Sequence, residues 1–575
     1  MPNSRALSAR VLPVCAVLGA FAGACHALPG TLPDRGALPD QEPALPRSLT
    51  RSESALIEQQ PIVAEGLAGF MLRGEPEGGM PAGRVVCPPE YAPMEGILMA
   101  YEGQIGWKRI LERMAARITN EGDANVYLLC DSNSEAASAR AAMLGAGADP
   151  DRLFTIVRTT NSIWMRDYGP RYIFEGNGGP GGDLGVRAVV DHTYNRPRPS
   201  DNLVPDFWSG IRGEAEYQIP LVHGGGNFHL SGAGDAYSTR LIAAENGALS
   251  EDAIVDLWRS YQNLETRITD PLPSSVDATQ HIDMWMQITG DRSVVIADYP
   301  LAPGSTHDSV ADAQAQAMQD AGYTVTRVEN IGNPNATHYT FTNVVMCNSI
   351  VLVPEYDNIP ASYSANALAA WRAHLPDHQI IPIDCDAIVT ASGVMHCIVM
   401  HVPAPADGEN PVVWITAPNS SGFFEPGETV TVTWRTDDDF DLLPSDPLSV
   451  DLLLSTDGGQ TFAPQRTGAP DDGAIEWTVP NLTTAQGVLR VVARDADGNE
   501  GFDDTDELFI INGSDPACNA ADIAEPFGVL DLADVQSFIA GFTNQDPIAD
   551  IAAPSGVFDL ADVQAFIDGF VAGCP

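Results

Sequence analysis

A cysteine, a histidine and two aspartates stand in local settings from which they could act together on one small substrate. Cys397 lies in ASGVMHCIVMHVPAP (391–405), ahead of an alternating apolar run. His281 and Asp283 are two apart in TQHIDMWMQ (279–287), a spacing that in a strand points both side chains to one face. Asp167 sits in NSIWMRDYGPRYIF (161–174), between an aromatic stretch and a Gly-Pro turn. LVHGGGNFHLSG (221–232) supplies a glycine-rich turn followed by Asn227 and His229, and HYTFTNVVMCNSIVLVP (338–354) places Asn343 just before an apolar strand. Taken singly, each has an ordinary account: a surface pair with Arg166, a small buried thiol, a core histidine, turn caps.

As a set they suit a guanidinium. Such a group is planar, delocalised and permanently charged, so its carbon is a poor electrophile and its burial is costly. Opposed carboxylates answer both problems by pairing bidentately with the N–H groups and fixing the plane. One carboxylate about 4 Å from a cation is worth roughly 4 kcal/mol at an effective dielectric near 20, which hardly offsets desolvation; two can. A thiolate can then attack the carbon while a histidine protonates departing ammonia and afterwards activates water.

Positioning these groups falls to a region in which short apolar strands alternate with helical stretches such as WKRILERMAARI and ADAQAQAMQDAG. That alternation predicts an α/β domain over 85–405. Residues 28–84, rich in Pro, Gly, Ala and Glu without sustained periodicity, read as a linker or pro-segment. After APADGEN the texture changes: ETVTVTWRT, SVDLLLS and GVLRVVARDADG predict a β-sandwich of immunoglobulin-like type over 410–513. Residues 516–575 contain a paired repeat, ADIAEPFGVLDLADVQSFIAGF (521–542) and ADIAAPSGVFDLADVQAFIDGF (549–570), each a loop with carboxylates followed by a short helix.

The totals narrow the classes further. A chain of 575 residues exceeds one core, and 30 Lys+Arg among 77 Asp+Glu, a net charge of −47, exclude nucleic acid as a partner. The acidity keeps a chain soluble and would steer a cationic substrate. Arg5 and Arg10 before the apolar run VLPVCAVLGAFAGA, with small residues near Ala27, read as a signal peptide over 1–27; Cys25 is a poor lipid-attachment site. No later stretch is long and apolar enough to span a bilayer, so a secreted or cell-surface protein is expected. Of nine cysteines, Cys518 and Cys574 bracket the last segment as a closing disulfide, while Cys87, Cys130, Cys347, Cys385 and Cys397 form an odd set with at least one free thiol.

WMRDYGP, GGGNFH, HIDMW, NSIVLVPEYDN and GVMHC, in that order, resemble the bacterial-type peptidylarginine deiminase and agmatine deiminase family over about residues 85–405. The resemblance implies the pentein fold, an α/β propeller of five pseudosymmetric ββαβ-like units, and a chemistry that needs no cofactor. It makes Cys397 the nucleophile, His281 the general acid/base, Asp167 and Asp283 the guanidinium-binding carboxylates, and Asn343 a neighbour of the site, with Trp164 and Asn227 as substrate-binding residues. Cys385 falls outside the nucleophile position. The implied reaction is hydrolysis of peptidyl arginine to citrulline and ammonia through a thiouronium intermediate. Agmatine deimination, amidino transfer on the same fold, and a cell-surface binding protein with an incidental catalytic domain are the alternatives.

Arg196 and Arg198 in DHTYNRPRPSDN favour the peptidyl branch as a clamp for a substrate carboxylate, which agmatine lacks. The terminal pair resembles a dockerin ending in Gly-Cys-Pro, which implies a protein or envelope partner. It also implies possible calcium ligation by Asp522, Asp531, Asp534, Asp550, Asp559 and Asp562, although the alternate early positions of each loop lack oxygen donors.

Overall fold

The computed structural model describes residues 44–73, 79–176, 185–438, 448–513, 518–524, 527–554 and 556–574. The expected signal peptide and residues 28–43 lie outside the described residues. Among those described, no helix is long and apolar enough to cross a membrane.

Between residues 94 and 403 one pairing pattern occurs in five sheets. In each, a first strand pairs antiparallel with a second, and the second runs parallel to a third. Arg171–Gly176, Val186–Tyr194 and Ala215–His223 make one such unit. His229–Leu230, Asp235–Thr239 and Glu265–Thr269 make the next. Met286–Gly290, Ser293–Asp298 and Thr324–Glu329 follow, then Val345–Cys347, Ile350–Glu355 and Gln379–Asp384. In the last, Met400–Pro403 returns to pair with Met94–Ala100, which runs parallel to Asn125–Cys130. Parallel neighbours need a crossover, and each unit supplies a helix between its second and third strands: Val204–Arg212, Glu251–Gln262, Thr306–Asp320, Ala361–His374 and Ile105–Asn120. The amphipathic stripe of the last explains why it forms. Trp107, Ile110, Leu111, Met114, Ala115 and Ile118 recur at helical spacing and are all buried.

The repetition sets where chemistry can occur. Asp167, Asn227, Asp283, Asn343 and Cys397 lie between two and four residues ahead of the first strand of successive units, so each unit presents one polar side chain from its leading turn. His281 and Asp283 are not on a strand, contrary to the strand-face spacing. His281 is extended and Asp283 belongs to the 3₁₀ turn Ile282–Met284. The turn aims both inward because the strand begins only at Met286.

Within the expected linker or pro-segment, the described residues 44–73 contain two helices. Thr50 and Glu53 form a capping box for helix Arg51–Gln59, and Leu67–Arg73 is a second helix. Beyond Pro403, residues 412–512 build a three-stranded and a six-stranded sheet over a shared core that includes Trp434, Leu452, Trp477 and Val491. This β-rich part is fastened to the five-unit part before it by a buried ion pair: Arg187 donates to Asp437 through Nε at 2.9 Å and Nη2 at 2.7 Å, and Arg187 also pairs with Glu95. Asp437→Ala would leave that guanidinium short of charge inside the junction. A loss of about 3 kcal/mol in denaturant stability is expected, with Arg187→Met/Asp437→Leu restoring much of it.

In the terminal pair, helices Leu532–Asn544 and Leu560–Ala572 stack Phe538 on Phe566, and Cys518 is bonded to Cys574. The expected calcium ligands serve backbone N–H groups. Asp534 accepts from Ile523, Ala524 and Asp531; Asp562 does the same for Ile551, Ala552 and Asp559. Asp531 and Asp559 cap the two helices, while Asp522 and Asp550 accept from Gly528 and Gly556. Among the described residues no three of these six carboxylates converge as cation ligands. The loops are held by the hydrogen bonds a calcium cage would otherwise organise, and the donors do not fit the ion.

Candidate active site

Asp167, His281, Asp283 and Cys397 converge on a guanidinium, and that guanidinium belongs to the chain itself. Arg47 is wholly buried among them. Its Nε and Nη2 donate to the two oxygens of Asp167 at 2.9 and 2.8 Å; its Nη1 and Nη2 donate to those of Asp283 at 3.0 and 2.8 Å. Nη2 also lies 2.8 Å from His281 Nδ1, and Nη1 lies 2.6 Å from Cys397 Sγ. These atoms stand in for the guanidinium of a bound substrate. Two carboxylates grip its plane from different edges, sulfur stands at one nitrogen, and the imidazole stands at the other.

Glycine makes room for the flat cation. A Cβ added at Gly226 would overlap Nη2 of Arg47 and lie 2.7 Å from Asp283 Oδ2 and 2.8 Å from Asp167 Oδ1. At Gly393 it would lie 2.9 Å from Arg47 Cδ and 3.0 Å from Cys397 Sγ. In an Arg47→Gln background, which frees the slot, Gly226→Ala is therefore expected to weaken guanidine binding by at least about tenfold with little change in fold. Overpacking of this kind costs roughly 1–3 kcal/mol, and a guanidine titration followed by calorimetry reads it.

The charges explain one another. Burial alone would raise the Asp167 carboxyl, but the Arg47 guanidinium and then His281 hold it well below the usual carboxylate range. Asp283 is likewise driven up by burial and pulled further down by Arg47 and His396. Burial pushes the Cys397 thiol well up; Arg47 opposes that shift, while Asp283 and Asp167 add to it. A guanidinium in the slot thus offsets part of the rise, and an empty slot leaves it unopposed by any cation.

A supporting layer holds these groups. Asn343 donates to the Asp283 carbonyl at 3.0 Å, accepts the His396 backbone N–H at 3.2 Å, and has its Oδ1 3.3 Å from Cys397 Sγ. His396 bridges Asp283 at 2.9 Å and Glu90 at 2.9 Å, and Glu90 pairs with Arg166 at 2.8 Å. His396 and Glu90 escaped the sequence reading. The former is adjacent to Cys397, but nothing in CPPEYAP marks Glu90 as its partner. Asn227 does not touch the guanidinium: its Oδ1 accepts from Thr239 and Ile282 at 3.0 and 3.3 Å, fixing the turn that carries Asp283. A short amide this deeply engaged with backbone has nothing left to present to substrate.

Around the Arg47 backbone stand three further residues singled out from sequence. Trp164 donates its indole N–H to the Leu45 carbonyl at 2.8 Å, Arg198 Nη2 donates to the Pro46 carbonyl at 2.8 Å, and Arg196 Nε donates to the Arg47 carbonyl at 3.2 Å. The Arg47 N–H donates to the Ala391 carbonyl at 2.9 Å. The two arginines do not clamp a terminal carboxylate in this arrangement. Their acceptors are peptide carbonyls and, for Arg198, Glu53 at 2.8 Å. Cys385 is buried, bonded through its backbone N–H to Glu355, with its thiol pushed up by burial.

A Vibrio parahaemolyticus protein provisionally named agmatine deiminase is 25% identical over 284 residues, covering 42% of this chain and 76% of the relative. A Shewanella baltica protein with the same provisional name is 24% identical over 288 residues, covering 44% and 77%. Among solved structures, an Enterococcus faecalis agmatine deiminase is 19% identical with a TM-score of 0.48, covering 56% of this chain and 96% of that one. A Porphyromonas gingivalis protein provisionally named arginine deiminase is 20% identical with a TM-score of 0.46, covering 56% and 98%. The sequence pattern of the Porphyromonas-type peptidyl-arginine deiminases matches residues 86–403, more than half of the chain. The chain therefore belongs to that family, hydrolases that act on the C–N bonds of guanidino groups.

Proposed function

We propose that this protein hydrolyses the guanidinium of arginine within peptides, giving citrulline and ammonia. The observation that carries this reading is the set of hydrogen bonds to backbone on both sides of Arg47: carbonyls 45, 46 and 47 are met by Trp164, Arg198 and Arg196, and the N–H of Arg47 by Ala391. Agmatine has no such backbone, so these buried donors would be left unmatched.

The steps follow from the geometry. Asp167 and Asp283 fix the substrate plane, and with the cation bound beside it the Cys397 thiol passes its proton to His281. Sulfur forms a bond to the guanidinium carbon, and the nitrogen facing His281 takes a proton from the imidazole and leaves as ammonia. The resulting thiouronium is attacked by water, which His281 deprotonates; the C–S bond breaks and a ureido group is released. Asn343 and His396 act as positioning residues for Cys397 and Asp283.

A colorimetric ureido assay tests the reading, run on the full chain and on the Arg47→Gln chain so that an occupied slot does not mask activity. Peptides with internal arginine and blocked ends are expected to exceed agmatine in kcat/KM by on the order of a thousandfold, from four backbone hydrogen bonds of about 1 kcal/mol each. The names borne by the relatives favour agmatine instead, and turnover of agmatine as fast as any peptide would decide for it. Export is part of the same proposal: a mature N-terminus near residue 28 on protein recovered outside the cytoplasm supports it, and a cytoplasmic chain retaining Met1 counts against it.

A further inference from the structure

On the premise that peptidyl arginine is the substrate, we propose that Arg47 is the first substrate of its own active centre. The full chain is latent until this residue has been converted to citrulline in cis. The slot cannot hold another guanidinium while Arg47 is in it. Asp167, His281, Asp283 and Cys397 are at most 1% exposed beneath the strap that carries it.

The strap is built to stay. Four hydrogen bonds fix the backbone from Leu45 to Arg47. Glu53, which also closes the capping box of the following helix, pairs with Arg198 at 2.8 Å. Further along, the Glu65 N–H donates to Thr193 Oγ1 at 2.8 Å, and Asn202 donates to Glu65 at 3.2 Å. A tethered arginine so placed competes at a high effective concentration, so outside substrate meets only the fraction of chains in which it has left.

Yet the pose is that of a substrate rather than of a mismatched plug. Sulfur accepts from Nη1 and the imidazole faces Nη2, so nucleophile and proton carrier both stand beside the group on which turnover acts. In the reaction the Cys397 thiol gives its proton to His281 as the bond from Sγ to the Arg47 side-chain carbon forms, and the C–Nη2 bond breaks as His281 passes that proton to Nη2, which leaves as ammonia. Water then adds its oxygen to the carbon, its proton passes to His281, and the C–S bond breaks. The product differs from arginine by exchange of NH for O and loss of the positive charge. A neutral ureido group cannot satisfy two facing carboxylates, which repel each other once the cation is gone, so the same step that modifies Arg47 weakens the strap's hold.

The full-length protein and its Cys397→Ser and Arg47→Gln variants, mixed freshly with a peptide substrate, provide the test. Peptide mass mapping of the wild-type chain is expected to show citrulline at residue 47, absent from Cys397→Ser. Release of ammonia from outside peptide should begin after a lag whose duration does not depend on enzyme concentration. Arg47→Gln, which resembles the product in charge, should start without a lag and at least about tenfold faster than the initial wild-type rate. If Arg47→Gln deiminates peptides while wild-type residue 47 remains arginine throughout turnover, self-processing is overturned and the proposed function stands. If residue 47 is converted only by added enzyme in trans, the cis step is overturned. If neither chain acts on any arginine peptide, both fall together.

Discussion

Cys397→Ala is expected to abolish deimination, with kcat falling on the order of 10⁶-fold, the scale on which loss of a nucleophile acts when its partners remain. Binding should survive, because Asp167 and Asp283 hold the cation without help from sulfur. A guanidine titration of Cys397→Ala in an Arg47→Gln background checks this. Abolished turnover with retained binding is the expected pattern; turnover within tenfold of the parent would remove Cys397 from the chemistry. The thiol's reactivity carries a sign as well. Burial pushes its pKa well up and the neighbouring aspartates push it further, while the Arg47 guanidinium and then a backbone hydrogen bond at Val394 oppose them. In the Arg47→Gln chain without substrate, iodoacetamide inactivation should therefore be slow at neutral pH and accelerate as pH rises. A rate unchanged from pH 6 to 9, an interval about the ordinary thiol value, would contradict the electrostatics described here.

Asp283→Asn is the second large effect. The carboxylate makes two charge-assisted contacts to the guanidinium, at 3.0 and 2.8 Å. Removing its charge forfeits roughly 4 kcal/mol at an effective dielectric near 20, about a thousandfold in kcat/KM. Stability should move the other way when Arg47 is also replaced. With no cation present, two buried carboxylates face each other across the slot, and neutralising one relieves that repulsion. Thermal unfolding of Arg47→Gln with and without Asp283→Asn reads the opposition directly: a higher Tm for the double variant is expected, and a lower one would show that Asp283 serves the fold rather than the ligand.

How far the sequence carried can be judged residue by residue. The motif turns around Asp167, Asp283 and Cys397 are short and keep their order along the chain, so the side chains that meet at the guanidinium were named before their meeting place was known. The alternation of strand and helix was equally legible, since Ile105–Asn120 and its counterparts carry apolar stripes that only a helix can bury. What escaped depends on long-range pairing. Arg47 contacts Cys397 across 350 positions, and His396 meets Glu90 across 306, separations at which local pattern carries no signal. The Thr50–Glu53 capping box also went unread, because the surrounding residues carry no sustained apolar period to mark a helix behind it. Arg196 and Arg198, expected to clamp a carboxylate, donate here to the carbonyls of Arg47 and Pro46, and Arg198 also to the Glu53 carboxylate; a guanidinium serves either acceptor when the geometry offers it.

The pairing of Met400–Pro403 with Met94–Ala100 joins the two ends of the catalytic part in a single sheet. The nucleophile sits three residues before that final strand. A chain emerging from the ribosome consequently carries no finished centre until its last strand can reach back to its first, some three hundred residues behind in the order of synthesis. A seated nucleophile is thus denied to the nascent polypeptide, and a truncation between Cys397 and Pro403 should yield a chain that carries the thiol without the strand that places it.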